Sequence, residues 1–231
     1  MIFDPPLAEA VLRRRYKRFL ADLELPAGGI LTVHVPNTGA MTLCAEPGSR
    51  AWYSVRDDPR RKLPGTLEIV ESVGALAGVN TARTNALVEE ALATGTIAEL
   101  AGYPRRRREV RIGDSRLDFL LEGAGPPAWV EVKNVTLVDG AAAIFPDAVT
   151  TRGLKHIGRL RALAGEGARA VLLFVVQRED ADHFRPAGAI DPAYARALAA
   201  AHAEGVEILC YQARVTPGEI RLQHRLPVVV G

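Results

Sequence analysis

The sequence predicts a mixed α+β chain in two parts: an all-β unit over residues 1–80, then an α/β unit with a central mixed sheet over residues 81–231. Three observations predict it. Short β-prone runs broken by turn signals fill the first eighty positions, and the pattern then changes to alternating helices and strands. Within that second part, AVLLFVV at 170–176 is continuously apolar, as in a strand covered on both faces.

In the first unit the turn signals PAGG, PNTG, EPGS, DDPRRKLPG and SVGALAG separate the strand candidates ILTVHV, RAWYSV and TLEIVE, at the spacing of a small barrel or sandwich. On a helix, Tyr16 and Phe19 of RRRYKRFLADL would share a face with core-like Leu12, Leu20 and Leu23. In the second unit TNALVEEALATG reads as a helix: a Thr/Asn start, apolar Ala86, Leu87, Ala91 and Leu92, and a stop at Gly95. REVRIGDSRLDFLL and AWVEVKNVTL read as strands. DAVTTRGLKHIGRLRALAGEG reads as a helix with Asp147 as its expected cap. DPAYARALAAAHAEG begins with Asp191 as N-cap and Pro192 at the first helical position, ends at Gly205, and feeds the strand VEILCYQARV.

Composition narrows the classes. The chain has 231 residues, 48% of them hydrophobic, enough for one large core or two small ones. Cys44 and Cys210 stand far apart in apolar segments, which excludes a disulfide framework and a cysteine zinc site and places the chain in a reducing cytoplasm. No run approaches a bilayer span, and the N-terminus lacks an apolar stretch of signal-peptide length. A formal charge of +2 is too small to demand a polyanion, but the arginines are blocked, RRRYKRF at 13–19 and RRRR at 105–108. Arg13, Arg14, Arg15, Lys17 and Arg18 are candidate phosphate contacts and Tyr16 a candidate base-stacker, with solvated surface or core as the alternative. Arg107 or Arg108 is expected to face the same ligand. Arg152, Lys155 and His156, at the start of the helix after the second acidic strand, are candidate basic groups beside it, Lys155 first, with a solvated helix end as the alternative, and His34 is either a polar strand residue or part of a ligand surface.

The chemistry concentrates in RLDFLLEGAGPPAWVEVKNVTL at 116–137. Strand alternation sets Asp118 with Arg116 and Leu120, opposite Leu117, Phe119 and Leu121, and sets Glu131 with Lys133, opposite Val130 and Val132. Folded as an antiparallel pair about Gly125, the strands bring Asp118 beside Glu131, a like-charge pair that destabilises unless something offsets it. A divalent cation does so, since one or two carboxylates with water and substrate phosphate suffice for Mg2+ or Mn2+. Lys133 would then assist an attacking water and stabilise charge at phosphorus. A surface ion-pair arrangement of Asp118, Lys133 and Arg116 is the alternative.

The Asp…Glu-x-Lys order resembles the PD-(D/E)XK nuclease superfamily, with Leu117 where a proline is usual before the Asp. That resemblance adds Glu90, on the preceding helix, as a further metal ligand. YKRFLADL, HVPNTGAM, PGSRAWYS, SRLDFLL, VEVKNVTL, FPDAVTTRGLKH and GVEILCY together resemble the sugar fermentation stimulation protein family nearly end to end, departing at Thr151 and Arg159. The family implies an oligonucleotide/oligosaccharide-binding (OB) type barrel before the nuclease-like domain. It also implies DNA binding, with single or double strand left open, a proposed link to regulation of sugar catabolism, and no established catalytic activity. Partners expected are DNA and a second copy of the chain, and no membrane. A binding module with a vestigial metal site, and a sugar or nucleotide ligand in the barrel, stay as alternatives.

Overall fold

The computed structural model describes residues 1–56, 58–123 and 125–230. Asp57, in the DDPRRKLPG turn, and Ala124, in the link between the acidic strands, lie outside them. The first unit holds β1 (Ala8–Tyr16), β2 (Leu20–Glu24), β3 (Ile30–His34), β4 (Arg50–Val55), β5 (Gly65–Ser72) and β6 (Ala75–Gly78). β1 pairs with β2 and β4, β2 with β3 and β4 with β5, all antiparallel, and a parallel β3–β5 pairing closes a five-stranded barrel. This is the OB arrangement.

Two readings of this unit change. RRRYKRFLADL is strand, turn and strand rather than helix, because Ala10, Leu12, Ala21 and Leu23 enter the barrel at a period of two. SVGALAG contains β6, which follows a turn at Val73–Gly74 and pairs with β5.

The second unit runs α1 (Thr84–Ala93), β7 (Arg105–Ile112), β8 (Ser115–Glu122), β9 (Ala128–Val135), β10 (Leu137–Asp139), β11 (Ala142–Phe145), α2 (Thr151–Gly165), β12 (Arg169–Val176), β13 (His183–Pro186), α3 (Pro192–Ala203), β14 (Glu207–Val215) and β15 (Ile220–Arg225). Its main sheet has the order β15-β14-β12-β9-β8-β7, with β9, β12 and β14 parallel and the outer pairs antiparallel. A small sheet, β10-β11-β13, lies beside it. β12 explains its composition: Val171, Leu173 and Val175 join the core shared with α1 and the barrel, while Leu172, Phe174 and Val176 join the core under α2 and α3.

Helix α2 buries Gly153, His156, Ile157, Leu160 and Leu163, a stripe at helical spacing. Its cap is Thr150, whose Oγ1 accepts from the Gly153 amide at 3.0 Å, one residue before the helix begins. Asp147 is not the cap. It stands three residues too early, and its Oδ2 accepts the Met41 amide at 3.0 Å, tying β11's outgoing loop to the barrel. A second tie is Arg178, fully buried, which pairs with Asp180 and donates to Ser72 O at 3.2 Å and Thr136 O at 2.8 Å. These ties hold the barrel loops over the end of the main sheet, which positions the site.

Candidate metal centre and nucleic-acid interface

Strands β8 and β9 pair as Phe119↔Val130, Leu120↔Trp129 and Leu121↔Ala128, the register that sets Asp118 across from Glu131. The ladder ends there. The Val132 amide donates instead to Asp118 Oδ2 at 2.8 Å, and Asn85 Nδ2 of α1 donates to Oδ1 at 2.8 Å. The opening also breaks the expected alternation: Phe119 and Leu121 lie in the core on the α1 side, Leu117 in the core on the α2 side. On the other flank Glu109, opposite Asp118 in the β7–β8 register, takes φ of +53°. Backbone irregularity thus surrounds the carboxylate on both sides.

Glu131 is buried, and its Oε1 accepts from Lys133 Nζ at 2.5 Å and from His156 Nδ1 of α2. Lys133 Nζ also lies 3.2 Å from His156 Nδ1. Burial raises the Glu131 pKa, but the His156 hydrogen bond and the Lys133 charge outweigh it and hold the carboxyl below its usual range. Asp118 goes the other way. Burial, then the Glu131 charge, push it up to about 6 against the pull of the Val132 amide, Asn85 and Lys133.

One observation bears directly on a cation. Among the described residues Glu131 Oε2, like Gln177 Oε1 and the Tyr194 hydroxyl, is buried without a hydrogen-bond partner, although the sister oxygen of Glu131 has two. A buried acceptor left over is rare and needs an explanation. Two adjacent carboxylates and one unused oxygen fit a hard divalent cation that completes its shell with water and phosphate. A closed protein cage is not built: among the described residues no three or more His, Cys, Asp or Glu side chains gather to hold a metal.

Asp118, Glu131 and Lys133 open on a cleft of about 520 Å³. One wall comes from the barrel, at Asn37–Gly39, and another from the segment after β11. The loop approaches the Asp147 carboxylate closely at Gly39, where a Cβ would stand 2.5 Å from Asp147 Oδ2. The guanidinium of Arg15 braces the same loop by donating to the carbonyls of Asn37 (3.0 Å), Gly39 (3.0 Å) and Ala40 (2.8 Å).

The structure does not gather every residue picked from the sequence. Glu90 pairs with the Met1 amine at 2.8 Å and lines a different depression. It lies roughly 140° around α1 from Asn85, the residue that does reach Asp118. Arg13 pairs with Glu24, and Arg14 with Asp22 at 2.8 Å. Tyr16 donates to Asp22 at 3.1 Å under the Arg14 guanidinium. Lys17 and Arg18 stand exposed at the β1–β2 loop. Arg108 lines the cleft while paired with Glu89 at 3.0 Å; Arg107 is exposed on the edge strand. Arg152 lines the cleft, whereas Lys155 pairs with Asp114 at 3.0 Å. Arg116 pairs with Glu109 at 2.8 Å, outside the Asp118–Lys133 group.

Two residues escaped the sequence reading. Asn85 is the second residue of α1, where the Thr/Asn pair reads only as a helix start and does not mark a partner for Asp118. Asn134, next to Lys133, receives Gln177 Nε2 on its Oδ1 at 2.5 Å, with Thr84 Oγ1 3.4 Å from the same atom. That leaves its Nδ2 as a donor in a residue that lines the cleft. No local pattern announces this partnership, because Gln177 is 43 positions away.

Comparison with known proteins follows the two units. A family model described as the sugar fermentation stimulation protein RE domain matches residues 82–219, and one described as the SfsA N-terminal OB domain matches residues 14–79. A sugar fermentation stimulation protein homolog of Geobacter sulfurreducens is 53% identical over 232 residues, covering 100% of both chains. A homolog from Pseudomonas putida (strain GB-1) is 55% identical over 236 residues, again with 100% of both covered. Among solved structures, Pyrococcus furiosus SfsA in complex with Ca2+ superposes with a TM-score of 0.91 at 30% identity, covering 99% of this chain and 98% of the other.

Proposed function

The chain belongs to the sugar fermentation stimulation protein family, and on that premise we propose that it binds nucleic acid and carries a divalent-cation site for phosphodiester hydrolysis. The observation that carries the reading is the unpartnered Glu131 Oε2 beside Asp118, with Lys133 Nζ on the same group. In the proposed site Asp118 and Glu131 hold Mg2+ or Mn2+, which when bound supplies an activated water and neutralises phosphate charge. A relative solved with Ca2+ is in keeping with a hard, oxygen-seeking ion. Asn85 and the Val132 amide keep Asp118 turned toward Glu131, and His156 with Lys133 keep Glu131 ionised. Lys133 contributes positive charge where phosphate oxygens gather, and Arg108 and Arg152 line the approach. Glu90 has no part in this set.

The same proposal carries a division into units at residues 80 and 81, a cytoplasmic location, self-association as a homodimer, and a role in regulating sugar catabolism. Among the described residues no helix is long and apolar enough to cross a membrane.

The test is to titrate Mn2+ into the protein by calorimetry and to assay cleavage of single- and double-stranded DNA and RNA with Mg2+ and Mn2+. Metal binding and cleavage that are both lost in Asp118→Ala support the reading. Cleavage at equal rates in parent and variant would sink it.

One observation favours a second reading, DNA binding without turnover. Lys133 is spent on Glu131 rather than left to meet a water or phosphate. On that account Lys133→Ala leaves affinity nearly unchanged, affinity falls with salt, and no metal yields cleavage.

A further inference from the structure

We infer that Phe19 and His34 form a base-stacking platform for single-stranded nucleic acid on the outer lip of the barrel. This rests on the nucleic-acid reading above and names the form of ligand and the residues that hold its bases. Tyr16 cannot serve, because its ring is covered by Arg14 at 4.7 Å and its hydroxyl is bonded to Asp22. Phe19, in contrast, is 41% exposed. Its ring centroid lies 6.5 Å from that of His34 with the planes 30° apart, so the two rings form one shallow, tilted surface.

The loop that presents Phe19 is built at a cost. β1 and β2 close at Tyr16↔Leu20, leaving residues 17–19 as the turn. Lys17 and Arg18 take φ of +48° and +64°, the left-handed region where glycine, asparagine or aspartate would sit without comparable strain. The turn instead carries two exposed cations next to the exposed ring. Arg15 Nε holds it by donating to Arg18 O at 3.0 Å. Strained backbone retained with this chemistry points to a ligand.

A track leads from the platform to the carboxylates. A depression of about 410 Å³ beside His34 includes Arg56, Arg61 and Thr66 and shares Ala82 with the cleft. His34 and Thr66 are register partners on β3 and β5, and Arg61 donates to Thr66 at 2.7 Å. Both acids in this depression are already paired, Asp58 with Arg60 at 2.9 Å and Glu68 with Arg83 at 2.6 Å. Cations beside flat rings suit a polyanion whose bases are free to stack, whereas a duplex keeps its bases on one another.

The experiment uses the full chain and fluorescence anisotropy of a labelled oligothymidylate and of a duplex of equal length. Phe19→Ala should weaken oligothymidylate binding roughly tenfold and leave duplex binding within about twofold. His34→Ala should act in the same direction. Phe19→Trp should keep the affinity and show quenched emission on adding the oligonucleotide. Salt-dependent binding by the parent with Phe19→Ala unchanged would overturn the platform and leave the nucleic-acid reading standing. Equal losses for single strand and duplex would overturn the assignment to single strands. Failure of the parent to bind either form would overturn both.

Discussion

Replacing Asp118 with asparagine isolates the electrostatic cost of the site. Burial and the Glu131 charge move the Asp118 carboxyl from 3.8 to about 6. Because the folded value is the higher one, the native chain holds the extra proton between those pH values. The group's contribution to stability therefore falls as pH rises through that window. At about 1.4 kcal/mol per pKa unit, ionised Asp118 costs about 3 kcal/mol above pH 7 but only about 1 kcal/mol at pH 4.5. Asp118→Asn removes the titration and keeps a side-chain acceptor for the Val132 amide. Urea unfolding without divalent metal should therefore show the variant gaining about 2 kcal/mol more, relative to the parent, at pH 7.5 than at pH 4.5. Comparing two pH values cancels any fixed loss from the poorer fit of the amide. Adding Mn2+ at pH 7.5 should stabilise the parent and not the variant, as a ligand of the native state alone requires. A difference that stays flat between the two pH values, or grows toward pH 4.5, would refute the picture of a carboxylate crowded by Glu131.

Four other substitutions probe the frame around the site. Arg178→Met strips Asp180, Ser72 and Thr136 of a fully buried cation; it should cost about 3–5 kcal/mol by urea unfolding, and a loss below about 1 kcal/mol would show that the tie contributes little. Gly39→Ala drives a methyl against Asp147; it should lower oligonucleotide affinity several-fold in a chain that still melts cooperatively, and unchanged affinity would remove the loop from the binding surface. Thr150→Ala should cost about 1 kcal/mol in thermal or urea unfolding, while Asp147→Ala should leave the α2 cap intact and weaken only the hold on the Met41 amide.

Local patterns carried much of the fold. The apolar run of β12, the Asp191–Pro192 start of α3 and the Gly95 stop of α1 are short-range signals, and each element forms where those residues lie. The Asp118 and Glu131 strands were legible for the same reason, since a period of two and a short link leave few registers open. Helical spacing misled at 13–23, where a three-residue turn resets the period. At Asp147 a plausible cap lost to Thr150, because a barrel amide 106 positions away claimed the carboxylate.

By itself, then, the sequence determined an all-β unit followed by an α/β unit with a central mixed sheet, and two acids and a lysine on neighbouring strands, because periodicity and turn chemistry act over a few residues. Only the tertiary structure decided that Asn85 rather than Glu90 meets Asp118, that His156 and Lys133 share one oxygen of Glu131, and that Arg15 braces a barrel loop over the cleft. Those choices depend on helix rotation, on where β8 parts from β9, and on contacts between segments tens of residues apart. Such contacts form when the barrel and the sheet bury their shared core, and no short window of sequence contains both partners.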